Sequence, residues 1–199
     1  MAGERWNALD RELAAHVPGD EKEARDVRFV RDFLQAHPDD AHLRSQLAGH
    51  LTGSAFVLDA TGTQLLLLHH DRLDRWLQPG GHGEGELDLR AVAGRELAEE
   101  TGLGPSEVTP FPDQRILDVD VHPIPANAKR AEPSHLHLDL RYGFIARAGS
   151  LLRISSESRA LQWVLLERIA APGGADPSVQ RAARKLRASI AAQAGSFTG

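Results

Sequence analysis

The stretch that decides the fold is "GGHGEGELDLRAVAGRELAEETGLG", residues 80–104. Its second half predicts a helix from about Asp88 to Thr101, with Asp88 as N-cap and Gly102 as the C-terminal stop. On a helical wheel with Leu89 at zero, Val92, Ala93, Glu96, Glu99 and Glu100 fall at roughly 300°, 40°, 340°, 280° and 20°. The carboxylates therefore continue the apolar stripe, while Ala91, Gly94, Arg95 and Ala98 occupy the opposite side. A solvated acidic face does not fit that direction. Like charges at i, i+3 and i+4 repel and resist desolvation, so turning them toward the protein calls for cations. Carboxylate oxygens, together with water and phosphate, make the usual shell of Mg²⁺ or Mn²⁺. The helix end is thus expected to be a metal cradle. Upstream, "PGGHGEG" (79–85) carries few bulky side chains and lets backbone approach a metal or a phosphate closely.

The rest of the chain bounds the setting. Its 199 residues suffice for one domain with an extension. A net charge of −5 argues against a nucleic-acid-binding surface, which needs a basic footprint. Only Lys22, Lys129 and Lys185 are lysines, so 20 of the 23 cations are arginine, a side chain suited to phosphate and carboxylate. Cysteine is absent, which removes disulfides, thiolate nucleophiles and cysteine-bound zinc. The start, "MAGERWNALDREL", lacks an apolar signal core, and the aliphatic run "LLLL" at 65–68 is too short for a bilayer span. A cytoplasmic protein that does not engage membranes is expected.

Helical spacing over 4–16 and 21–36 predicts an N-terminal helical extension covering 1–48. "SAFVLD", the turn "ATG" and "TQLLLLH" predict a hairpin, followed by a long loop, "DRLDRWLQPGGHGEGE". "RILDVDVH", "LHLDLRYGFIA" and "LQWVLL" read as further strands. Between the first two lies "PIPANAKRAEPS", proline-rich, basic and long enough to face a substrate. The central domain runs over 49–172, and 173–199 hold a final amphipathic helix and tail. In "SHLHLDLRYG" strict alternation puts Leu136, Leu138, Leu140 and Tyr142 on one strand face and His135, His137, Asp139 and Arg141 on the other. An ordinary solvated surface is the bland reading of the polar face. Two histidines and a carboxylate, with His122 before the proline-rich loop, favour instead a wall of the site made by His122, His135 and His137, holding phosphate or an auxiliary metal.

The glycine turn and the acidic helix together resemble the box of the Nudix hydrolases, Gly-x5-Glu-x7-Arg-Glu-U-x-Glu-Glu-x-Gly-U, where U is aliphatic. Gly81 fills the first position and "RELAEETGL" the whole second half, Arg95 to Leu103. Leu87 stands where the early glutamate belongs, with Glu86 one residue before it. In the family that glutamate mainly braces the loop against the box arginine, so Arg95 is expected to pair with Glu86, Asp88 or Glu99. The strings "QPGGHGEGELDL", "DVDVHPIP" and "PSHLHLDLRYGF" further resemble a poorly characterised branch with GGH and His-x-His-x-Asp signatures.

The resemblance implies an α/β/α sandwich around a mixed β-sheet and hydrolysis of a nucleoside diphosphate linked to another moiety. It places divalent ions, Mg²⁺ or Mn²⁺, on Glu96, Glu99 and Glu100 with a carbonyl of Gly80 or Gly81, and a proton acceptor at Glu100 or Glu99. Phosphate contacts would come from His82, Arg72, Arg75, Lys129, Arg130 or Arg141. Trp76, Tyr142, Phe144 and Trp163 are candidates for base stacking, each more readily a core or rim residue. Two other readings stay open: a nucleotide sensor that does not cleave, and an isomerase of isopentenyl diphosphate, to which His82 invites comparison. The sensor is disfavoured because all three cradle glutamates are present, and the isomerase because its cysteine acid is missing. A homodimer in which the N-terminal helices cover a partner's sheet is also left open.

Overall fold

The computed structural model describes residues 4–71, 74–127, 132–156 and 158–195. A 3₁₀ turn, Glu4–Trp6, leads into α1 (Asn7–Ala15) and α2 (Glu21–Ala36), the latter capped by Asp20, whose carboxylate accepts the N–H of Glu23. The hairpin forms from β1 (Gly49–Leu58) and β2 (Gln64–His70). β1 begins five residues before the predicted strand, because all of it runs parallel to β7 (His135–Ala146), from Gly49 opposite Leu136 to Leu58 opposite Ile145. The expected loop after β2 contains two short strands, β3 (Arg75–Leu77) and β4 (Gly80–His82). β4 is glycine-rich and has no strand propensity of its own; pairing with Thr52, Gly53 and Ser54 of β1 makes it a strand.

The decisive helix is α3 (Leu89–Thr101), with Asp88 accepting the N–H groups of Arg90 and Ala91, and Gly102 ending it in the left-handed region. Then come β5 (Val108–Pro110), which was not expected, β6 (Ile116–Ile124), β7, β8 (Ser158–Leu165), a short α4 (Leu166–Ala170) and α5 (Pro177–Gly195). The eight strands among the described residues form one mixed sheet in the order β3-β2-β1-β7-β5, with β4 on β1, β6 on β7 and β8 on β2. Helices cover both faces, giving the α/β/α sandwich.

Alternation along β1 and β7 sorts the faces. Leu51, Ala55, Val57, Leu138, Leu140 and Tyr142 pack with Leu89, Val92, Ala93 and Leu97 of α3, and Trp6, Leu13, Val30 and Leu34 of the N-terminal helices join the same cluster. α3 lies so close to β1 that a Cβ on Gly53 would stand 2.4 Å from the carbonyl oxygen of Leu89. On the opposite face, Phe56 and Leu58 pack with Leu65, Leu67 and the α4–α5 residues Ile169, Val179 and Leu186. That second cluster stops short of the N-terminal ends of β1 and β7, and the polar site occupies the space.

The N-terminal helices lie along the edge of their own sheet. Glu12 accepts the N–H of Ile116, Glu23 that of Val119 and Asp26 that of Val121, while Lys22 donates to the carbonyl of Val121. Lys185 and Arg181 of α5 donate to the carbonyls of Leu117 and Val119. The outward backbone groups of β6 are thereby engaged by side chains, which blunts an edge otherwise open to pairing with another strand.

Candidate active site

α3 and β4 build the site by facing each other. A Cβ on Gly81 would stand 2.5 Å from the Glu96 carboxyl carbon, so only glycine lets the strand come this close to the carboxylate. The Glu100 carboxylate accepts the N–H of Gly80 at 2.9 Å. Arg95 reaches back from the helix to the carbonyl of His82 at 2.6 Å and pairs with Glu96 at 2.9 Å and Glu99 at 3.4 Å. Glu86 and Asp88 are not its partners: Glu86 accepts the N–H groups of Leu87 and Asp88, and Asp88 caps the helix. Of the carboxylates, Glu96 and Glu100 are half-buried, whereas the Glu99 side chain is 59% exposed. Leu97 explains the difference. It is fully buried and widens the apolar stripe away from Glu99, which is left on the flank.

Glu96, Glu99, Glu100, Gly80, Gly81 and Arg95 line one wall of a pocket of about 450 Å³. His82, His122, His135 and His137 form another, as the alternation in β7 requires, with Asp139, Thr52 and Ser54 at its floor. Thr52 and Ser54 donate to Asp139 at 3.0 and 2.7 Å. Arg44 lines the rim and pairs with Glu132; no sequence signal marked it.

Strand register assembles the histidines. His137 lies opposite His50 on β1 and His122 on β6, and His82 lies opposite Thr52, one alternate position along β1. The ring centroids of His50 and His137 stand 4.9 to 5.3 Å from each other and from those of His82 and His135. Burial pushes His137 down to about 2, helped by the neighbouring imidazoles, and His82 down to about 4, helped by Arg44 and His50. Burial lowers His50 as well. Burial thus holds His50, His82 and His137 neutral. His50 was missed in the sequence, where it precedes the recognisable strand pattern.

Other expected contacts fall elsewhere. Arg141 does not reach the pocket. It is 2% exposed, bonded to Asp139 at 2.8 Å and Asp118 at 3.1 Å, and stacked over Phe56, because α5 covers β7 at that point. A phosphate grip by Arg141 is thereby corrected: its donors serve buried carboxylates. Arg75 pairs with Asp176. Arg72, Lys129 and Arg130 lie outside the described residues. Tyr142 and Phe144 are buried in the α3-side core, Trp163 packs against it and Trp76 rests on His69, so none of these four forms a base platform in the pocket.

The donor set suits hard divalent ions. Carboxylate oxygens converge beside a strand stripped of side chains, which leaves room for an ion and a phosphate.

A helix bearing clustered glutamates against a glycine strand, on a mixed sheet between helical layers, defines a Nudix-type site, and the chain belongs to the NUDIX domain family, whose sequence model matches residues 50–186. A probable DHNTP pyrophosphohydrolase of Lactococcus lactis subsp. cremoris is 31% identical over 100 residues, which cover 50% of this chain and 57% of that protein. The chain thus spans little more than half the length of this curated relative. Among solved structures, a C. elegans Ap4A hydrolase binary complex superposes with a TM-score of 0.57 at 19% identity, covering 71% of this chain and 98% of the other. The Nudix hydrolase RenU of M. smegmatis gives 0.53 at 17% identity, covering 72% and 88%. These two likenesses are likenesses of fold.

Proposed function

We propose that the chain is a Nudix-type pyrophosphohydrolase that cleaves the diphosphate of a nucleoside diphosphate linked to another moiety, with Mg²⁺ or Mn²⁺. The observation that carries this reading is the convergence of Glu96, Glu99 and Glu100 on Gly80 and Gly81 in one pocket. The name of the Lactococcus relative, a pyrophosphohydrolase, agrees with it.

Glu96, Glu99 and Glu100 would hold the ions. Bound there, a divalent ion supplies neutralisation of charge on the diphosphate and an acidified water. The chain's own groups do the rest. Arg95 ties α3 to the carbonyl of His82 and so holds the helix against β4. Glu100, anchored on the N–H of Gly80, keeps one carboxylate at the strand, while the freer Glu99 faces the pocket and suits the role of proton acceptor. Opposite, His82 and His137, held neutral by burial, offer hydrogen bonds to the substrate without fixed charge.

Turnover on a panel of ADP-ribose, nucleotide sugars, dinucleoside polyphosphates and nucleoside triphosphates, with and without Mg²⁺, tests the proposal. Metal-dependent cleavage of a diphosphate bond is expected. Tight binding without cleavage across the panel would replace it by the sensor reading.

A further inference from the structure

We propose that His50, His135 and His137 form a second metal site at the histidine wall of this pocket, separate from the carboxylate site on α3 and selective for an imidazole-loving divalent ion of the Zn²⁺ or Co²⁺ kind. The coordinating atoms of these three side chains already lie within 4.8 Å of one another. Neighbouring ligands of a tetrahedral site with metal–nitrogen bonds of about 2.0–2.1 Å stand roughly 3.3–3.4 Å apart. Small ring movements would therefore close the site.

His50 supplies an independent sign. It is 2% exposed, surrounded by imidazoles, and neither ring nitrogen makes a hydrogen bond of normal geometry. A buried imidazole whose nitrogens lack a well-formed partner costs about 1–3 kcal/mol unless a ligand completes it. His135 is arranged as metal-binding histidines usually are: its Nδ1 lies 2.9 Å from the carbonyl oxygen of Pro133. Donation to that carbonyl fixes the tautomer and leaves the Nε2 lone pair for a ligand. Nε2 of His82 stands 3.2 Å from Nε2 of His137, close to the spacing of two ligands on one ion, so His82 is placed to add a fourth nitrogen. His122, held by Asp120 at 3.0 Å, stands behind His137.

Imidazole and carboxylate sets prefer different ions, so the pocket would carry two chemistries a short distance apart. The strand β4 joins them: its Gly80 end bonds Glu100 and its His82 end meets His137, about 7 Å apart along the strand. Where His82 leaves that fourth position open, the ion held by His50, His135 and His137 would take an oxygen donor of a substrate whose other end lies at the carboxylate wall. The binding claim itself does not depend on the hydrolase reading.

The test uses Co²⁺, whose visible spectrum reports nitrogen ligation and low coordination number, added to the metal-free full chain. In a Glu96→Gln, Glu99→Gln, Glu100→Gln variant, which removes the hard site, one equivalent of Co²⁺ should still bind and develop visible absorption. His135→Gln and His137→Gln, each checked for folding by circular dichroism, should weaken binding about tenfold or more and change the spectrum. His69→Gln, outside the cluster, should leave both unchanged. Absence of stoichiometric Co²⁺ binding in the glutamine variant overturns the proposal, as does an unaltered spectrum and affinity in folded His135→Gln and His137→Gln. Because binding is read without turnover, loss of this site and failure of the hydrolase reading are told apart.

Discussion

The backbone N–H of Gly80 donates to the Glu100 carboxylate at 2.9 Å, joining the glycine strand to the acidic helix across 20 residues of chain. Glutamine at position 100 can still accept that bond through its amide oxygen, but carries no charge. Glu100→Gln should therefore keep the fold and lose a metal ligand, lowering kcat by about 100-fold or more with a stability change under about 1 kcal/mol. Glu99→Gln should reduce turnover comparably, and EDTA should abolish it. Steady-state kinetics and urea titration of both variants check this, and turnover that survives both substitutions and chelation would sink the metal-cradle reading.

Leu87 occupies the position of the absent box glutamate and is 41% exposed. Arg95 is already engaged by the carbonyl of His82, Glu96 and Glu99, so a glutamate at 87 finds its partner taken. Leu87→Glu should leave kcat/KM within about twofold. Glu86→Ala removes the acceptor for two backbone N–H groups and should cost about 1 kcal/mol of stability. Strong activation by Leu87→Glu would instead mark a site weakened by the loss.

Glu23 is fully buried between α2, β6 and α5. Burial alone would raise its pKa, but His16, the N–H of Gly19 and Lys185 outweigh burial and hold it near 2 rather than 4.5. As pH falls, the unfolded chain takes up this proton first. The contribution is thus complete above about pH 4.5, lost progressively toward pH 2, and on the order of 3 kcal/mol. Urea midpoints at pH 7, 4 and 3 should fall steeply for the native chain. Glu23→Gln should be less stable at pH 7 and flatter over that interval; an equally steep decline would assign the acid sensitivity to other groups.

Arg141 stands among Asp118, Asp120 and Asp139, all essentially buried. Arg141→Ala strips Asp139 of its ion-pair partner, removes one of the cations serving Asp118 and Asp120, and should destabilise by roughly 3–5 kcal/mol. Arg141→Lys, which keeps charge but loses the planar fork, should recover only part. Chemical denaturation decides it; a loss below about 1 kcal/mol would show that Arg181 and Lys22 suffice.

Much of the architecture was legible because it is local. α2 announces itself by apolar spacing, and α3 by apolar spacing and by the caps Asp88 and Gly102, all of which act within a few residues. β3, β4 and β5 were not legible: strands of three residues carry too little pattern, and each exists because a longer strand offers it hydrogen bonds. In α3 the carboxylate direction was read correctly for Glu96 and Glu100, but overlooking Leu97 drew Glu99 too far inward.

The sequence by itself determined the box, its helix, the alternation of β7 and the family those residues resemble, since each depends on the identity and spacing of neighbours. Only the tertiary structure decided what the polar face of β7 becomes along its length. Where β1, β4 and β6 present histidines beside it, His135 and His137 face a pocket; four residues beyond His137, α5 closes over the strand and Arg141 becomes an interior cation. The same alternation thus yields a site at one end and a buried ion network at the other. The difference lies in partners brought by β1 from 85 residues earlier and by α5 from 37 residues later, and periodicity within a strand carries no record of either.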